Sequence, residues 1–327
     1  MTYESVDCVD AGTDYCPCYL SETNDCLICS QLQGKLFCDC INWKGVCIYQ
    51  EYIWNGSRRK DSRENINASV LNIFMLNEKV IFIKLKVSRT LARELNQPGS
   101  YIFIKNSNYP EFFNTPMSVM YADEINGTID LLIQVRGIKT KIFQKTLDSF
   151  QIRGPYWNGI MGLKNLKKVS NKNCLMVVRG IAQAPSVGVA KKLKFSNNNV
   201  YVIFDEGTSN TSISKEYFDK LGCEIKEMSI MENRSISSAA SAFIKETINE
   251  KDIDLIFSGG TDIIHKEIIE IKNSFSKDIL LACTNNANIC CGEGICGSCN
   301  TRLKDGKRIK ACKAQADPEE ILGGIYR

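Results

Sequence analysis

The feature that most restricts this chain is the spacing of its last cysteines. Cys291, Cys296, Cys299 and Cys312 stand in the run CCGEGICGSCNTRLKDGKRIKAC, a C-x4-C-x2-C pattern with a fourth cysteine further on. Four thiolates spaced this way suit a [2Fe–2S] cluster of the plant type. Gly292, Gly294 and Gly297 lie between the ligands, and glycine supplies the left-handed backbone and the close amides that a loop around a cluster needs. A four-cysteine zinc site is the other reading, but zinc ribbons pair two C-x2-C knuckles, and here one gap is four residues long. Cys290 is a competing ligand beside Cys291, and Cys283 has no assigned role.

The remaining cysteines are as unevenly distributed. Of 16, eight lie in residues 8–47 and six in 283–312, leaving only Cys174 and Cys223, each read as a buried apolar residue. The amino-terminal set is Cys8, Cys16, Cys18, Cys26, Cys29, Cys38, Cys40 and Cys47. A segment this short needs metal to be stable, and eight thiols match two four-thiolate sites, structural zinc or [4Fe–4S]. The spacing does not choose between them.

The chain has 327 residues, enough for two to four domains, and a net charge of +4 from 41 basic and 37 acidic residues. That balance, with no aromatic-basic stripe, argues against a nucleic-acid partner. The stretch MTYESVDCVD has neither a basic flank nor an apolar run, so no signal peptide is expected there, and no apolar run reaches membrane-spanning length. The expected location is cytoplasmic, where so many cysteines point to metal or redox chemistry rather than disulfides.

Four regions follow. Residues 1–65 form a cysteine-rich metal-binding module, ending in the charged stretch Ser57–Asn65, read as a solvated linker. Residues 66–168 have period-two patterning, as in KVIFIKLKV, where Ile81, Ile83 and Leu85 share a face; several such strands between turn signals predict an antiparallel β-barrel. Across 169–280 strands alternate with helices, which predicts an α/β domain with a parallel sheet. Residues 281–327 are the small iron–sulfur domain. His265, the only histidine, is read as a surface residue.

A barrel, a nucleotide-type sheet and a cluster loop in that order resemble the ferredoxin-reductase superfamily. More narrowly they resemble the electron-transfer subunits of class B dihydroorotate dehydrogenase, and the small subunits of sulfide dehydrogenase and of NADH-dependent ferredoxin:NADP oxidoreductase. The resemblance covers about residues 66–327. Pro98-Gly99-Ser100-Tyr101 is similar to the family turn beside the flavin. Thr115-Pro116-Met117-Ser118 stands where the family has Arg-Pro-x-Ser, so Ser118 implies a contact to the flavin ring, while the arginine that binds the FAD diphosphate is replaced by Thr115. Lys139 and Arg153 are the candidates to supply that charge. Gly137-Ile138-Lys139-Thr140 resembles the family's phosphate-receiving turn, and Arg153-Gly154-Pro155 begins a run resembling its flavin-closing loop.

The segment Val178–Pro185 resembles the family's nicotinamide-nucleotide turn, with Gly180 and Pro185 retained and Arg179 and Ala182 in place of glycines. Ser258-Gly259-Gly260 resembles its Cys-Gly-Pro turn, with serine for the thiol. Asp205, ending a strand, fits a ribose 2′-hydroxyl and favours NADH over NADPH. The resemblance implies an oxidoreductase electron-transfer subunit that carries electrons between NAD(P)H, FAD and the [2Fe–2S] cluster, to or from a partner flavoprotein. The competing readings are an iron–sulfur relay that has lost flavin or nucleotide, and a zinc-organised interaction protein.

Overall fold

The structure is a computed structural model describing residues 6–38, 43–146 and 148–325. Its backbone divides into two compact units, residues 65–286 and a second made from both ends of the chain, up to Glu64 and from Ala287 onward.

In the larger unit six antiparallel strands close into a barrel, in the order Asn65–Asn77, Val80–Lys86, Thr128–Gln134, Thr115–Asp123, Tyr101–Lys105 and Ser149–Tyr156, with the last pairing back to the first. The period-two pattern explains the closure, because alternate residues of each strand turn inward. Ile81, Ile83 and Leu85 are fully buried with Ile102, Ile104, Ile129, Leu131, Phe150 and Ile152 in the barrel core. Val80 and Phe82, one step out of phase on the same strand, leave that core and join Met176, Val178, Val187 and Phe257 in a second one. One short strand therefore serves two cores.

The second core lies against a six-stranded sheet. Glu224–Glu227, Asn199–Asp205, Asn173–Arg179, Leu255–Gly259 and Leu280–Thr284 run parallel in that order, and Ile160–Met161 adds an antiparallel edge. The central strand Asn173–Arg179 alternates again. Cys174, Met176 and Val178 face the core shared with the barrel. Leu175 and Val177 face the opposite side, against Ile244 and Ile248 of helix Ser238–Glu250 and Ile264 and Ile268 of helix Asp262–Asn273. A parallel sheet covered on both faces reads as a nearly continuous apolar run, which is how CLMVV stands in the sequence.

The smaller unit has little regular structure. Strand Asp7–Cys8 pairs antiparallel with Ala314–Gln315, joining the beginning of the described chain to its end, and Asn300–Arg302 pairs with Arg308–Lys310. The stretch Ser57–Asn65 is not a wholly solvated linker. Arg63 is 5% exposed and bound to Asp10 and Glu293, because a buried guanidinium requires carboxylates around it.

Candidate functional site: a cleft and two groups of thiols

The larger unit contains a cleft of about 590 Å³, within the range of cofactor pockets. One wall is the start of barrel strand Thr115–Asp123, with Pro116, Met117 and Ser118, and the end of strand Thr128–Gln134, followed by Arg136. The opposite wall is built where the parallel strands end at their carboxyl edge, with Gly180, Pro185, Gly260 and Asn286. Open α/β sheets place their ligands at that edge.

Two glycine positions matter here, one for a close backbone approach and one for its turn. Gly159 donates its amide to the Gly99 carbonyl at 2.8 Å, and a Cβ at 159 would stand 2.7 Å from the same oxygen. Gly180, at φ +61°, turns the chain sharply out of its strand into helix Gln183–Phe195.

Six of the sequence-derived candidates line this cleft: Pro116, Met117, Ser118, Gly180, Pro185 and Gly260. Tyr101 sits behind that wall, opposite Ser118 in the ladder and stacked on Tyr156 at 5.1 Å. Gly154 and Pro155 belong to strand Ser149–Tyr156, and the Arg153 guanidinium lies 5.0 Å from the centre of the Phe103 ring. At Gly137 a four-residue helix begins. The Thr140 hydroxyl there accepts from the amides of Arg136 and Gly137 at 3.0 and 3.3 Å. Lys139 reaches the Asn114 carbonyl. Among the described residues the cations on the cleft wall are Arg136 and Arg179, not Lys139 or Arg153.

Asp205 is engaged inside the protein. It accepts from Arg179 Nε at 2.9 Å, from the Ile230 amide at 2.8 Å and from the Gly207 amide at 2.8 Å. Its first visible role is to hold Arg179 at the cleft. Gly259 closes its strand against Ser186, whose Oγ would be 2.8 Å from an added Cβ.

His265 is not on the surface. It is 1% exposed, with Nδ1 2.7 Å from Ser258 Oγ, and Nε2 3.1 Å from Thr284 Oγ1 and 3.3 Å from Asn286 Nδ2. Burial pushes its pKa down to about 4, so the ring is neutral at pH 7. It braces the turn at Gly260, whose carbonyl accepts from Thr284 and Asn286. Local sequence concealed this, since Lys266 and Glu267 beside it are surface-type residues.

In the smaller unit Gly292, Gly294 and Gly297 all have φ between +73° and +76°, as a loop folding around sulfur requires. Cys312 is within hydrogen-bonding reach of Cys291 and Cys299, and the amides of Cys296, Glu293 and Ile295 point at Cys291 Sγ. The hydrogen bonds from Cys312 bring the Cys291 and Cys299 thiols down, against burial, and push Cys312 itself up. Burial raises Cys296. Four thiols with amides directed at sulfur fit a [2Fe–2S] cluster. Among the described residues no three His, Cys, Asp or Glu side chains converge as the ligands of one ion would. Cys283 is buried in strand Leu280–Thr284, and Cys290 is exposed.

Of the amino-terminal cysteines, Cys8, Cys16, Cys18, Cys26 and Cys29 are partly buried, Cys38 is exposed, Cys47 precedes helix Ile48–Trp54, and Cys40 lies outside the described residues. Between the two thiol groups stands a buried ionic network that sequence reasoning missed. Lys313 binds Asp10 and, at 2.9 Å, Glu293; Arg63 binds the same two acids at 2.9 and 3.5 Å. Burial alone would raise Asp10, but Lys313 and Arg63 outweigh it and hold the carboxyl below its usual range.

Comparison with known proteins agrees with this architecture. A chain of the NADH-dependent reduced ferredoxin-NADP oxidoreductase, described with flavin-based electron bifurcation, superposes with a TM-score of 0.61 at 17% identity, over 79% of this chain and 92% of that one. The fold is that of the ferredoxin reductases. The electron transfer subunit of dihydroorotate dehydrogenase B (NAD(+)) from Clostridium acetobutylicum is 25% identical over 219 residues, 66% of this chain and 82% of the relative. The probable counterpart from Methanocaldococcus jannaschii is 23% identical over 166 residues, 51% of this chain and 60% of the relative. No protein-family model matches the chain.

Proposed function

We propose that this chain is the electron-transfer subunit of an oxidoreductase, binding FAD and a nicotinamide nucleotide in the cleft and a [2Fe–2S] cluster on Cys291, Cys296, Cys299 and Cys312. The observation that carries the reading is the cleft itself, in which Pro116–Ser118 of the barrel face Gly180–Pro185 and Gly260 of the parallel sheet. A flavin is the component such a chain needs, because a nicotinamide gives up two electrons together and an iron–sulfur cluster takes one at a time.

The chain's own residues bind and orient. Met117 and Ser118 line the barrel wall of the cleft and would hold a flavin ring there. Arg136, at the same wall, provides the charge that Thr115 lacks, since a guanidinium suits a diphosphate. Gly180 lets a nucleotide diphosphate approach the backbone before helix Gln183–Phe195. The preference for NADH over NADPH is assigned to the acids Asp205 and Glu206 at this strand end; Asp205 also holds Arg179 and the Gly207 and Ile230 amides.

The relatives are electron transfer subunits, which supports a partner catalytic subunit here. None of the described helices is long and apolar enough to cross a membrane; a cytoplasmic location remains part of the proposal. The amino-terminal cysteines are assigned a further metal site, zinc or [4Fe–4S].

Anaerobic purification tests the reading. Flavin and iron–sulfur absorption that bleaches on adding NADH or NADPH supports it. Clusters without flavin would instead support the relay, and a colourless zinc protein would overturn both. Arg136→Ala is expected to weaken FAD binding about 10- to 100-fold, the value of a charge-assisted hydrogen bond, as read by flavin fluorescence titration.

A further inference from the structure

The smaller unit holds a buried group of charges that the proposed function leaves unused. Asp10, Arg63, Glu293 and Lys313 are between 1% and 9% exposed. Lys313 Nζ binds Asp10 and, at 2.9 Å, Glu293, while Arg63 binds Asp10 at 2.9 Å and Glu293 at 3.5 Å. Each cation touches both acids, and each acid both cations. The Arg63 guanidinium also lies over the Tyr15 ring, 3.9 Å from its centre. Burying charges is costly, and apolar side chains of the same volume often hold a fold as well or better. Stability alone therefore does not explain the network.

Its position supplies another reason. Glu293 lies between the candidate ligands Cys291 and Cys296, and Lys313 directly follows Cys312. The Glu293 amide donates to Cys291 Sγ at 3.3 Å. One residue thus gives its carboxylate to both cations and its N–H to a sulfur. Backbone ties the fourth ligand's neighbour as well: the Val9 amide donates to the Lys313 carbonyl at 3.0 Å, and strand Asp7–Cys8 pairs with Ala314–Gln315. At Gly294 an added Cβ would stand 3.1 Å from Leu20 Cδ1 and 3.4 Å from Lys313 Cγ, so these two side chains pack against the loop.

Net charge and hydrogen bonds to sulfur set the reduction potential of an iron–sulfur cluster. A reduced cluster carries one more negative charge than an oxidised one. A buried cation nearby therefore favours reduction, and a buried carboxylate opposes it. Within this network the two signs balance. We infer that Asp10, Arg63, Glu293 and Lys313 are positioning residues that set the potential of the cluster on Cys291, Cys296, Cys299 and Cys312, with Glu293 lowering it and Lys313 raising it. This role rests on the proposed cluster and adds which residues tune it. It also gives the amino-terminal segment, through Asp10 and Arg63, a part in the redox site that does not depend on what its cysteines bind.

The full chain, purified anaerobically, tests this through the midpoint potential of the two-iron signal. Electron paramagnetic resonance follows that signal as dithionite is added in the presence of redox mediators. Glu293→Gln keeps the size of the side chain but removes its negative charge. At a fixed potential the ratio of reduced to oxidised cluster should rise about tenfold, a shift of about 59 mV for one electron. Lys313→Met should lower that ratio by about the same factor, and Lys313→Arg should restore the original value. Shifts of opposite sign are decisive, because a network that only held the loop would move both variants the same way or release the cluster from both. Unchanged potentials, or shifts in one direction in both variants, would overturn this role and leave the proposed function standing. If Lys313→Met holds no cluster, Glu293→Gln decides: an upward shift supports the role, and an unchanged potential or a lost cluster overturns it. Absence of a two-iron signal from the unaltered chain would overturn the proposed cluster too.

Discussion

The two compact units solve the problem of stability in opposite ways. Residues 65–286 bury three apolar clusters, built from strands and helices whose periodicity is visible residue by residue. The unit formed by the two chain ends pairs its strands over only two or three residues and gathers cysteines around a buried set of two cations and two carboxylates. Hydrophobic burial is non-directional and tolerant of substitution, whereas buried charge is tolerated only when each member is paired. The larger unit is therefore expected to fold without cofactors, and the smaller to depend on metal and on every member of its network.

Metal removal should expose that contrast most strongly. Anaerobic chelation is expected to unfold the cysteine unit while residues 65–286 keep their structure, so limited proteolysis would leave a core fragment close to those bounds. Simultaneous loss of both units would break the comparison. Lys313→Met comes next. It strands Asp10 and Glu293 with Arg63 alone, and about 3–5 kcal/mol of the smaller unit's stability should be lost, measured by denaturant unfolding of the metal-loaded protein. A near-neutral result would show that metal ligation, and not the network, holds this unit together.

The larger unit has one ionisable weak point. His265 has a folded pKa of about 4 against an ordinary 6.5. Below pH 6.5 the unfolded chain takes up a proton that the folded ring refuses. Stability is thus complete above that value and declines as the pH falls towards 4, by up to about 3 kcal/mol. His265→Asn should flatten this slope in acid unfolding curves; an unchanged slope would assign it to other groups. The smallest effect is steric. Gly159→Ala places a Cβ against the Gly99 carbonyl and should cost about 1–3 kcal/mol, read as a lowered thermal midpoint of the larger unit alone.

How legible each part was in the sequence follows from the range of the forces involved. Ile81, Ile83 and Leu85 declared the barrel because a strand's alternation is a local property, and the glycines between Cys291 and Cys299 declared a left-handed loop because φ is a property of one residue. The cleft was legible only in part. Pro116–Ser118 and Gly180 were found through motifs, while Arg136 was missed because nothing in its neighbourhood distinguishes it from other exposed arginines. Asp205 was found as an acid ending a strand, but its hold on Arg179 and two amides was not visible in the sequence. His265 was placed on the surface from its charged neighbours, and the fold buried it against Ser258 and Thr284.

By itself, then, the sequence determined the order of barrel, parallel sheet and cysteine loop, and the crowding of thiols at the two ends of the chain. Local periodicity and cysteine spacing are written along a few consecutive residues. The tertiary structure alone decided that the two ends form one unit, with Arg63 reaching Glu293 across 230 residues of chain. A buried charge takes whatever partner the fold brings to it, and no local pattern records that choice.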